Sequence, residues 1–291
     1  MEKLSGVSFE DFLRKYLFEP AGMNDTGIFH TRRDGIPSDR FARNMVWEGD
    51  VYVPSDLSKE TAGYVVGSDG LNGCDYTYTT LFDMLRWDRA LREGKIITPG
   101  EQKLMYAPCR LNSGETYVDE DGDMYGFGWG VNHDEKLGLI VSHGGGMPGL
   151  NTWFERFIDR DAVLLIFANR DPGDARAFER FWDGMRAVAR GEEPEPVISI
   201  EDIAEKAPDK SGWGRFCGKY EHKSSGDEDF VIDEIFMKDG ELWANAIIDG
   251  DETSFRLYPI GENAFGRKRG FLRLTFGNGC LMYDNLTCRK L

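Results

Sequence analysis

One short stretch of the sequence, Ser142-His143-Gly144-Gly145-Gly146, combines residue types that can carry chemistry. Glycines have no side chain, so a ligand can closely approach their backbone N–H groups. An imidazole beside them can donate or accept a hydrogen bond and can carry a charge near neutral pH. On the motif alone, a glycine-rich hairpin turn with an incidental histidine is the simpler interpretation, because short motifs often arise by chance.

Two neighbouring residues of this stretch, Ser142 and His143, invite an interpretation as nucleophile and base. The pattern places them at the end of one strand, with another strand following. Adjacent residues of a strand point to opposite faces of the sheet. We therefore do not expect Ser142 and His143 to act on each other.

Other candidate sites are weaker, and we expect no cofactor and no metal. Residues 119–123 are acidic like a calcium loop, but Met124 stands where an EF-hand has glycine, so an acidic hairpin tip is the better interpretation. His30, His133 and His222 stand alone in polar stretches, without metal-ligand spacing. The cysteines are odd in number (5) and lack a C-x-x-C pair, which argues against a disulfide framework and a zinc knuckle.

The composition excludes several classes of function. Acidic residues number 51 against 35 basic ones, and a net charge of −16 repels phosphate backbones, so nucleic-acid binding is not expected. The longest apolar run, from Ala162 to Ala168, is far shorter than the ~20 residues of a membrane-spanning helix. The N-terminal sequence MEKLSGVSFE has no apolar signal core, so the chain as written is expected to be cytoplasmic.

The first part of the chain predicts helices followed by a sheet. Ser8 caps a first helix that Pro20 is expected to end. The second helix runs from Thr80 to Gly94, and the third opens with a capping box, Thr98-Pro99-Gly100-Glu101. The apolar face of the second helix is expected to hold Leu81, Met84, Leu85 and Leu91. Strands are predicted at 125–131, 137–142, 150–158 and 162–168, and a closing helix begins at Asp171-Pro172 with Phe178, Phe181, Trp182, Met185 and Val188 facing inward.

The last part of the chain predicts a different fold. Short apolar runs alternate with turn signals such as Asp239-Gly240, which is typical of a small antiparallel barrel or sandwich. An acidic, proline-containing stretch at residues 191–208 indicates a linker. We therefore predict an α+β domain at residues 1–190 and a small all-β, barrel-like domain at residues 209–291.

Three segments in order resemble the serine β-lactamase and penicillin-binding-protein-like hydrolases, the group that contains the class C β-lactamases. These are the helix and turn at residues 9–26, the Gly-rich turn and helix at 70–91, and the stretch Tyr125-Gly126-Phe127-Gly128-Trp129 followed by His143 to Gly149. The resemblance covers about residues 1–190. The region after the linker resembles the lipocalin-like β domain appended to many of these hydrolases.

The sequence departs from this family at the nucleophile. The family uses Ser-x-x-Lys, in which the lysine takes the proton of the serine, and a Tyr-x-Asn element. No serine of this chain is followed three residues later by lysine, and the single Tyr-x-Asn, Tyr283-Asp284-Asn285, falls in the β domain, where we interpret it as coincidence. Residues 1–6 look like the family segment just after Tyr-x-Asn, so we expect the chain to be the family domain without its N-terminal part.

The resemblance implies roles for the residues that remain. His143 aligns with the Lys or His that meets the substrate carboxylate or acyl group, and the N–H of Gly146 aligns with one of two oxyanion-hole donors. These two are the expected catalytic residues, while Gly144 and Gly145 are expected to bind substrate.

The implied function is acyl-enzyme hydrolysis of a β-lactam, an ester or a D-amino-acid peptide. Without its nucleophile the isolated chain is expected to be inactive, and the alternative is a non-catalytic family remnant that acts as a binding or regulatory module. We also expect self-association, or a partner that supplies the missing segment. Members of the family are often exported, so a signal peptide is expected to have been lost with the N-terminal part.

Overall fold

A computed structural model of the chain describes most of its residues in two compact units. The described residues are 1–28, 41–48, 51–68, 73, 77–119, 122–170, 175–194, 210–221, 230–248, 251–267, 272–277, 279–283 and 286–291. One unit comprises Met1–Asp171 and Met185–Glu193, and the other comprises Pro172–Gly184 and Pro194–Leu291. The first holds a five-stranded sheet and the second a closed eight-stranded barrel, so the predicted fold class is confirmed.

The helices of the described residues begin largely where the sequence predicts. They are α1 (Glu2–Ser5), α2 (Phe9–Leu13), the π-helical segment π1 (Arg14–Phe18), α3 (Glu19–Ala21), α4 (Ala62–Ser68), α5 (Leu81–Arg92), α6 (Pro99–Met105) and α7 (Ala175–Ala189). Ser8, Thr80 and Thr98 each accept a hydrogen bond from the backbone N–H three residues later. Thr98 and Glu101 form the predicted capping box, so the start of α6 is set by local contacts.

The prediction that Pro20 ends the first helix is wrong. The chain passes through π1, where the N–H of Glu19 donates to the carbonyl of Arg14, five residues earlier. Pro20 then lies in the first turn of α3, a position that does not need its missing N–H. The helical run ends at Gly22, which adopts a left-handed conformation with φ of 75°.

Helix α5 buries acids where apolar residues were expected. Leu81 and Leu85 are exposed, whereas Asp83 and Asp88 are buried. Asp83 accepts hydrogen bonds from the turn that follows α3, and Asp88 pairs with Arg156 of the sheet. Leu91 is buried at 1% exposure, as predicted. The buried face of α5 therefore combines an apolar contact with hydrogen bonds and ion pairs, and helical periodicity of apolar residues does not reveal the polar part.

The sheet that carries the glycine motif is an antiparallel meander in the order β5-β6-β7-β8-β9. Its strands are β5 (Met124–Tyr125), β6 (Gly130–Asp134), β7 (Gly138–Met147), β8 (Leu150–Phe157) and β9 (Ala162–Ala168). Two further two-stranded ladders pair β1 (Gly27–Ile28) with β4 (Thr77–Tyr78) and β2 (Met45–Glu48) with β3 (Val51–Pro54). Val131 of β6 lies opposite Val141 of β7, and both are buried in one cluster with Tyr106; Phe157 of β8 is buried opposite Ile140.

Helix α7 meets the sheet through charged residues. Phe181, Met185 and Val188 are exposed, so the prediction that they face inward is wrong. The Arg186 guanidinium instead donates two hydrogen bonds, of 2.8 and 3.0 Å, to the buried carboxylate of Glu155. The predicted start of this helix at Asp171-Pro172 and the side chain of Phe178 lie outside the described residues.

The C-terminal strands form a closed antiparallel barrel in which β17 returns to pair with β10. Its strands are β10 (Gly218–Glu221), β11 (Phe230–Lys238), β12 (Glu241–Ile248), β13 (Asp251–Pro259), β14 (Ala264–Arg267), β15 (Arg273–Gly277), β16 (Cys280–Tyr283) and β17 (Leu286–Lys290). The predicted turn Asp239-Gly240 joins β11 to β12, with both residues at positive φ.

The barrel interior is filled by side chains. A 3-10 helix (Lys210–Phe216) precedes the first strand, and its Trp213 and Phe216 pack on Phe265. The buried cluster also holds residues such as Ile232, Leu257 and, on the last strand, Cys288. The predicted linker lies outside the described residues from position 195 onward, as does Asp284-Asn285. Among the described helices, none is long and apolar enough to cross a membrane.

Candidate functional site

The glycine motif lies inside a strand instead of following one. The sequence predicts that β7 ends at residue 142, but it continues to Met147, and the turn falls at Pro148-Gly149. Residues 143–147 pair in register with residues 150–154 of β8. A ladder of backbone hydrogen bonds needs no side chain, so the three glycines do not end the strand. Gly149, with φ of 74°, provides the turn.

The second half of β7 is paired on one side only among the described residues. Strand β6 pairs with β7 as far as Ser142, which lies opposite Gly130, and β8 is the one described partner of residues 143–147. Neighbouring residues of a strand direct their backbone N–H and C=O groups to opposite edges. Every second residue of this half therefore offers its backbone groups at the open edge, where an extended ligand can add as a further strand.

His143 is exposed and lies beside this edge. Its Nδ1 is 2.6 Å from the carbonyl oxygen of Gly144. A carbonyl oxygen accepts hydrogen bonds only, so Nδ1 carries the proton in this arrangement. Nε2 is then the other ring nitrogen, which can accept a hydrogen bond when the ring is neutral and donate one when it is charged.

Ser142 lies on the other face of the strand. It is buried at 7% exposure while His143 is exposed, as the alternation of side chains along a strand requires. The two side chains therefore lie on opposite faces of the sheet, as the sequence argument against a nucleophile–base pair assumes. The second contact of the His143 ring comes from a different strand, where the Tyr125 ring lies edge-on with its centroid 6.4 Å away.

The three glycines differ in what their missing side chains permit. A Cβ at Gly144 would lie 2.7 Å from the Trp153 ring, so packing requires glycine there. A Cβ at Gly145 would lie 2.9 Å from the Thr152 hydroxyl, which would have to move. At Gly146 the nearest atom would be 3.6 Å away, an ordinary contact, so packing within the described structure does not require glycine at this position.

A buried carboxylate fixes the indole that packs on Gly144. Trp153 donates its ring N–H to Glu155 at 2.9 Å. Glu155 is fully buried and also accepts the two hydrogen bonds from Arg186 of α7. The charge of Glu155 is thus paired, and the orientation of Trp153 beneath β7 is set by α7.

The opposite face of β8 carries a second buried network. Arg156, 1% exposed, donates to Asp88 at 2.6 Å and to the Tyr106 hydroxyl at 2.5 Å. Burial raises the pKa of Tyr106, and the neighbouring Arg156 opposes that shift. Trp129 stacks edge-on against Tyr106 and also contacts Phe154, the partner of His143 in β8. Helices α5 and α6 are in this way attached to the strand behind the candidate site.

Glu155 and Arg156, the buried charged residues of β8, were missed in the sequence analysis. The adjacent charges Glu155 and Arg156 in an otherwise aromatic strand, WFERF, were the available signal, since buried charges must be paired. In the part of the chain that the structure describes, no group of three or more His, Cys, Asp or Glu residues is placed to hold a metal ion. Asp119 accepts from the N–H of Asp123 within a turn that Gly122 bends, in agreement with an acidic hairpin tip. His30 and His222 lie outside the described residues.

Comparison with known proteins identifies the family. A family model described as Beta-lactamase matches residues 1–188, more than half of the chain. The chain belongs to the beta-lactamase family. Penicillin-binding protein 4* of Bacillus subtilis (strain 168) is 32% identical over 222 residues, which are 76% of this chain and 48% of that protein. Putative penicillin-binding protein PbpX of the same organism is 25% identical over 168 residues, 57% of this chain and 36% of that protein.

One solved structure shares its fold with nearly the whole chain. The octameric penicillin-binding protein homologue from Pyrococcus abyssi matches with a TM-score of 0.52 and 17% identity, covering 99% of this chain and 61% of that chain. At this identity the match concerns the fold alone. The chain spans about half or less of the length of the curated relatives it matches, 48% and 36%.

Proposed function

We propose that this chain forms the substrate-binding part of a beta-lactamase-family hydrolase that acts on a β-lactam, an ester or a D-amino-acid peptide. The observation that carries the proposal is the open edge of β7 with His143 beside it. An open strand edge binds an extended amide through backbone hydrogen bonds, and the three substrate classes share an acyl group next to such an amide or ester. The names of the two B. subtilis relatives support penicillins as the first probes.

Within this proposal each residue of the motif has a distinct role. His143 meets the carboxylate or acyl group of the substrate through Nε2, while its Nδ1 is held by Gly144. The backbone N–H of Gly146 donates to the developing oxyanion. Gly144 shares that edge of the strand and binds the substrate through its backbone, while Gly145 contributes by leaving the surface beside the ligand without a side chain. Because a side chain at Gly146 would meet no close neighbour, a glycine there is suited to leave room for the ligand.

We also propose that the chain by itself forms no acyl-enzyme. The family mechanism needs a serine whose proton a lysine takes, and this sequence holds no Ser-x-x-Lys. The alternative function, a non-catalytic binding or regulatory module, rests on the same observation. The two functions share the β7 site and differ in whether a nucleophile from another segment or chain completes it.

The boundaries and partners of the parts are proposals as well. We propose a hydrolase-type domain at residues 1–190, a linker at 191–208 and a β domain at 209–291.

Helix α5 leaves Leu81, Phe82 and Leu85 exposed, at 46%, 73% and 44%, on a face suited to a second copy or to a polypeptide that completes the domain. A chain that stays monomeric at all concentrations would argue against self-association.

Covalent labelling and binding together test the proposed function. Intact mass after incubation with benzylpenicillin is expected to show no adduct, and an adduct would overturn the inactive assignment. Binding of benzylpenicillin, followed by NMR, is expected to weaken roughly tenfold in His143→Ala. His133→Ala, which removes another exposed histidine of the same sheet, is the matched control and is expected to bind like the unchanged chain. Equal binding by both variants would remove His143 from the site.

A further inference from the structure

A rigid turn between β5 and β6 holds two aromatic side chains that the proposed function leaves unused. The N–H of Gly126 donates to the Trp129 carbonyl at 2.7 Å, and the N–H of Phe127 donates to the Met105 carbonyl at 2.8 Å. A Cβ at Gly126 would lie 2.2 Å from the same Met105 oxygen, so only glycine permits this approach. The turn is thus fixed to the end of α6.

The pairing of the strands places this turn beside the open edge of β7. Strands β6 and β7 are antiparallel, and their pairing stops where Gly130 lies opposite Ser142. The chain that precedes Gly130 leaves the ladder there and enters the turn, at the level where the open edge of β7 begins. The contact between the Tyr125 and His143 rings, with centroids 6.4 Å apart, agrees with this placement. The turn and the neighbouring Tyr125 therefore lie next to the start of the open edge, at His143.

The aromatic residues of the turn divide into buried and exposed rings. Trp129 packs against Tyr106 and Phe154 and so belongs to the support of the sheet. Phe127 is 69% exposed and Tyr125 is 38% exposed. A single exposed aromatic ring is ordinary on a protein surface. Here two of them are held by a turn with little freedom to collapse, next to a strand edge that lacks a described partner.

We propose that Tyr125 and Phe127 are specificity-determining residues that receive an aryl or branched apolar group of the substrate. This inference rests on the proposed function, because it places that group next to the acyl or carboxylate group that His143 meets. An aryl group is the best fit, since aromatic rings pair edge-on or offset with one another at centroid distances of ~4.5–7 Å. The site would then prefer substrates with a bulky apolar substituent over small ones.

Two penicillins that share one nucleus test this preference. Benzylpenicillin carries a phenyl ring that 6-acetamidopenicillanic acid lacks, while the β-lactam ring, the side-chain amide and the carboxylate are common to both. We expect the chain to bind benzylpenicillin roughly tenfold more tightly than the penicillin without the ring, because partial burial of one phenyl ring contributes about that much affinity. Phe127→Ala is expected to remove most of this difference by weakening benzylpenicillin alone. Tyr125→Phe keeps the ring and is expected to retain the difference, whereas Tyr125→Ala reduces it.

The controls separate this inference from the proposed function. Phe181→Ala removes an exposed phenylalanine from α7 and is expected to change neither affinity. His143→Ala is expected to weaken both ligands equally. If both ligands bind equally well and His143→Ala weakens both, the aromatic preference is wrong and the proposed function stands. If neither ligand binds to the unchanged chain, both fail. If Phe127→Ala weakens both ligands alike, the turn supports the site structurally and does not determine specificity.

Discussion

The five-stranded sheet and the eight-stranded barrel are both antiparallel meanders, but they treat their edges differently. In the barrel, β17 pairs with β10, so each strand has two neighbours. In the sheet, β5 and β9 are the outer strands, and half of β7 is unpaired on one side among the described residues. In a closed barrel the backbone N–H and C=O groups of every strand are hydrogen-bonded to a neighbouring strand, whereas an open edge leaves such groups available to a ligand.

The two regions also differ in how they are held together. The barrel interior is an apolar cluster with Ile232, Leu242 and Leu257 at 0% exposure. The sheet is attached to its helices by buried or half-buried ion pairs, such as Arg156 with Asp88 and Arg186 with Glu155, together with a smaller apolar cluster. These polar groups are paired with one another, so what the sheet offers a ligand and the closed barrel does not is its open strand edge. The following predictions test whether this contrast holds.

The largest effect is expected in the barrel core. Phe265→Ala removes a fully buried ring that contacts Trp213, Phe216 and Phe276, and should lower the free energy of unfolding of the barrel by about 3–5 kcal/mol. Denaturant unfolding followed by tryptophan fluorescence measures it. Met237→Ala, at an exposed position of β11, is the control and should change stability by less than ~0.5 kcal/mol. Similar losses in both variants would contradict a tightly packed barrel interior.

An intermediate effect is expected on self-association through the sheet unit. Phe82→Asp places a charge on the exposed apolar face of α5, and is expected to weaken self-association several-fold, as measured by sedimentation equilibrium. Ile247→Asp makes the same change at a 40% exposed position on the outside of the barrel and should have no effect. The reverse result would place the association surface on the barrel.

The smallest effect concerns the turn between β6 and β7. The Arg190 guanidinium holds the pKa of Asp134 down to about 2, from an ordinary value of 3.8. Because this pKa is lowered in the folded state, the carboxylate stabilises the fold fully above pH 3.8, and its contribution disappears as the pH falls toward 2. Asp134→Asn should therefore cost at most ~1 kcal/mol near neutral pH, since the pair lies near the surface.

Unfolding measured as a function of pH checks this prediction. The difference in the free energy of unfolding between the unchanged chain and Asp134→Asn should be constant above about pH 4 and should shrink between about pH 4 and pH 2. A difference that is independent of pH over this range would mean that the ion pair with Arg190 does not stabilise the sheet unit.

Local signals determined much of the fold from the sequence alone. The caps Ser8, Thr80 and Thr98 act on residues three positions away, so the sequence pattern contains the whole interaction. The run Ala162–Ala168 and the turn Asp239-Gly240 likewise predict their strands and hairpin. His143 stood out because imidazole beside three glycines is chemically unusual, and its place beside an open edge agrees with a binding role, which remains a proposal.

Contacts between distant residues were decided only by the tertiary structure. Asp88 can be buried because Arg156, 68 positions away in the sequence, donates a hydrogen bond to it. Leu81 and Leu85 are exposed because no apolar element of the described residues covers them. The extension of β7 through its glycines depends on the register with β8, and the approach of Tyr125 to His143 depends on where β6 stops. Periodicity and motifs show which residues can pair; the packed chain decides which of them do, because burial and strand register are properties of the whole fold.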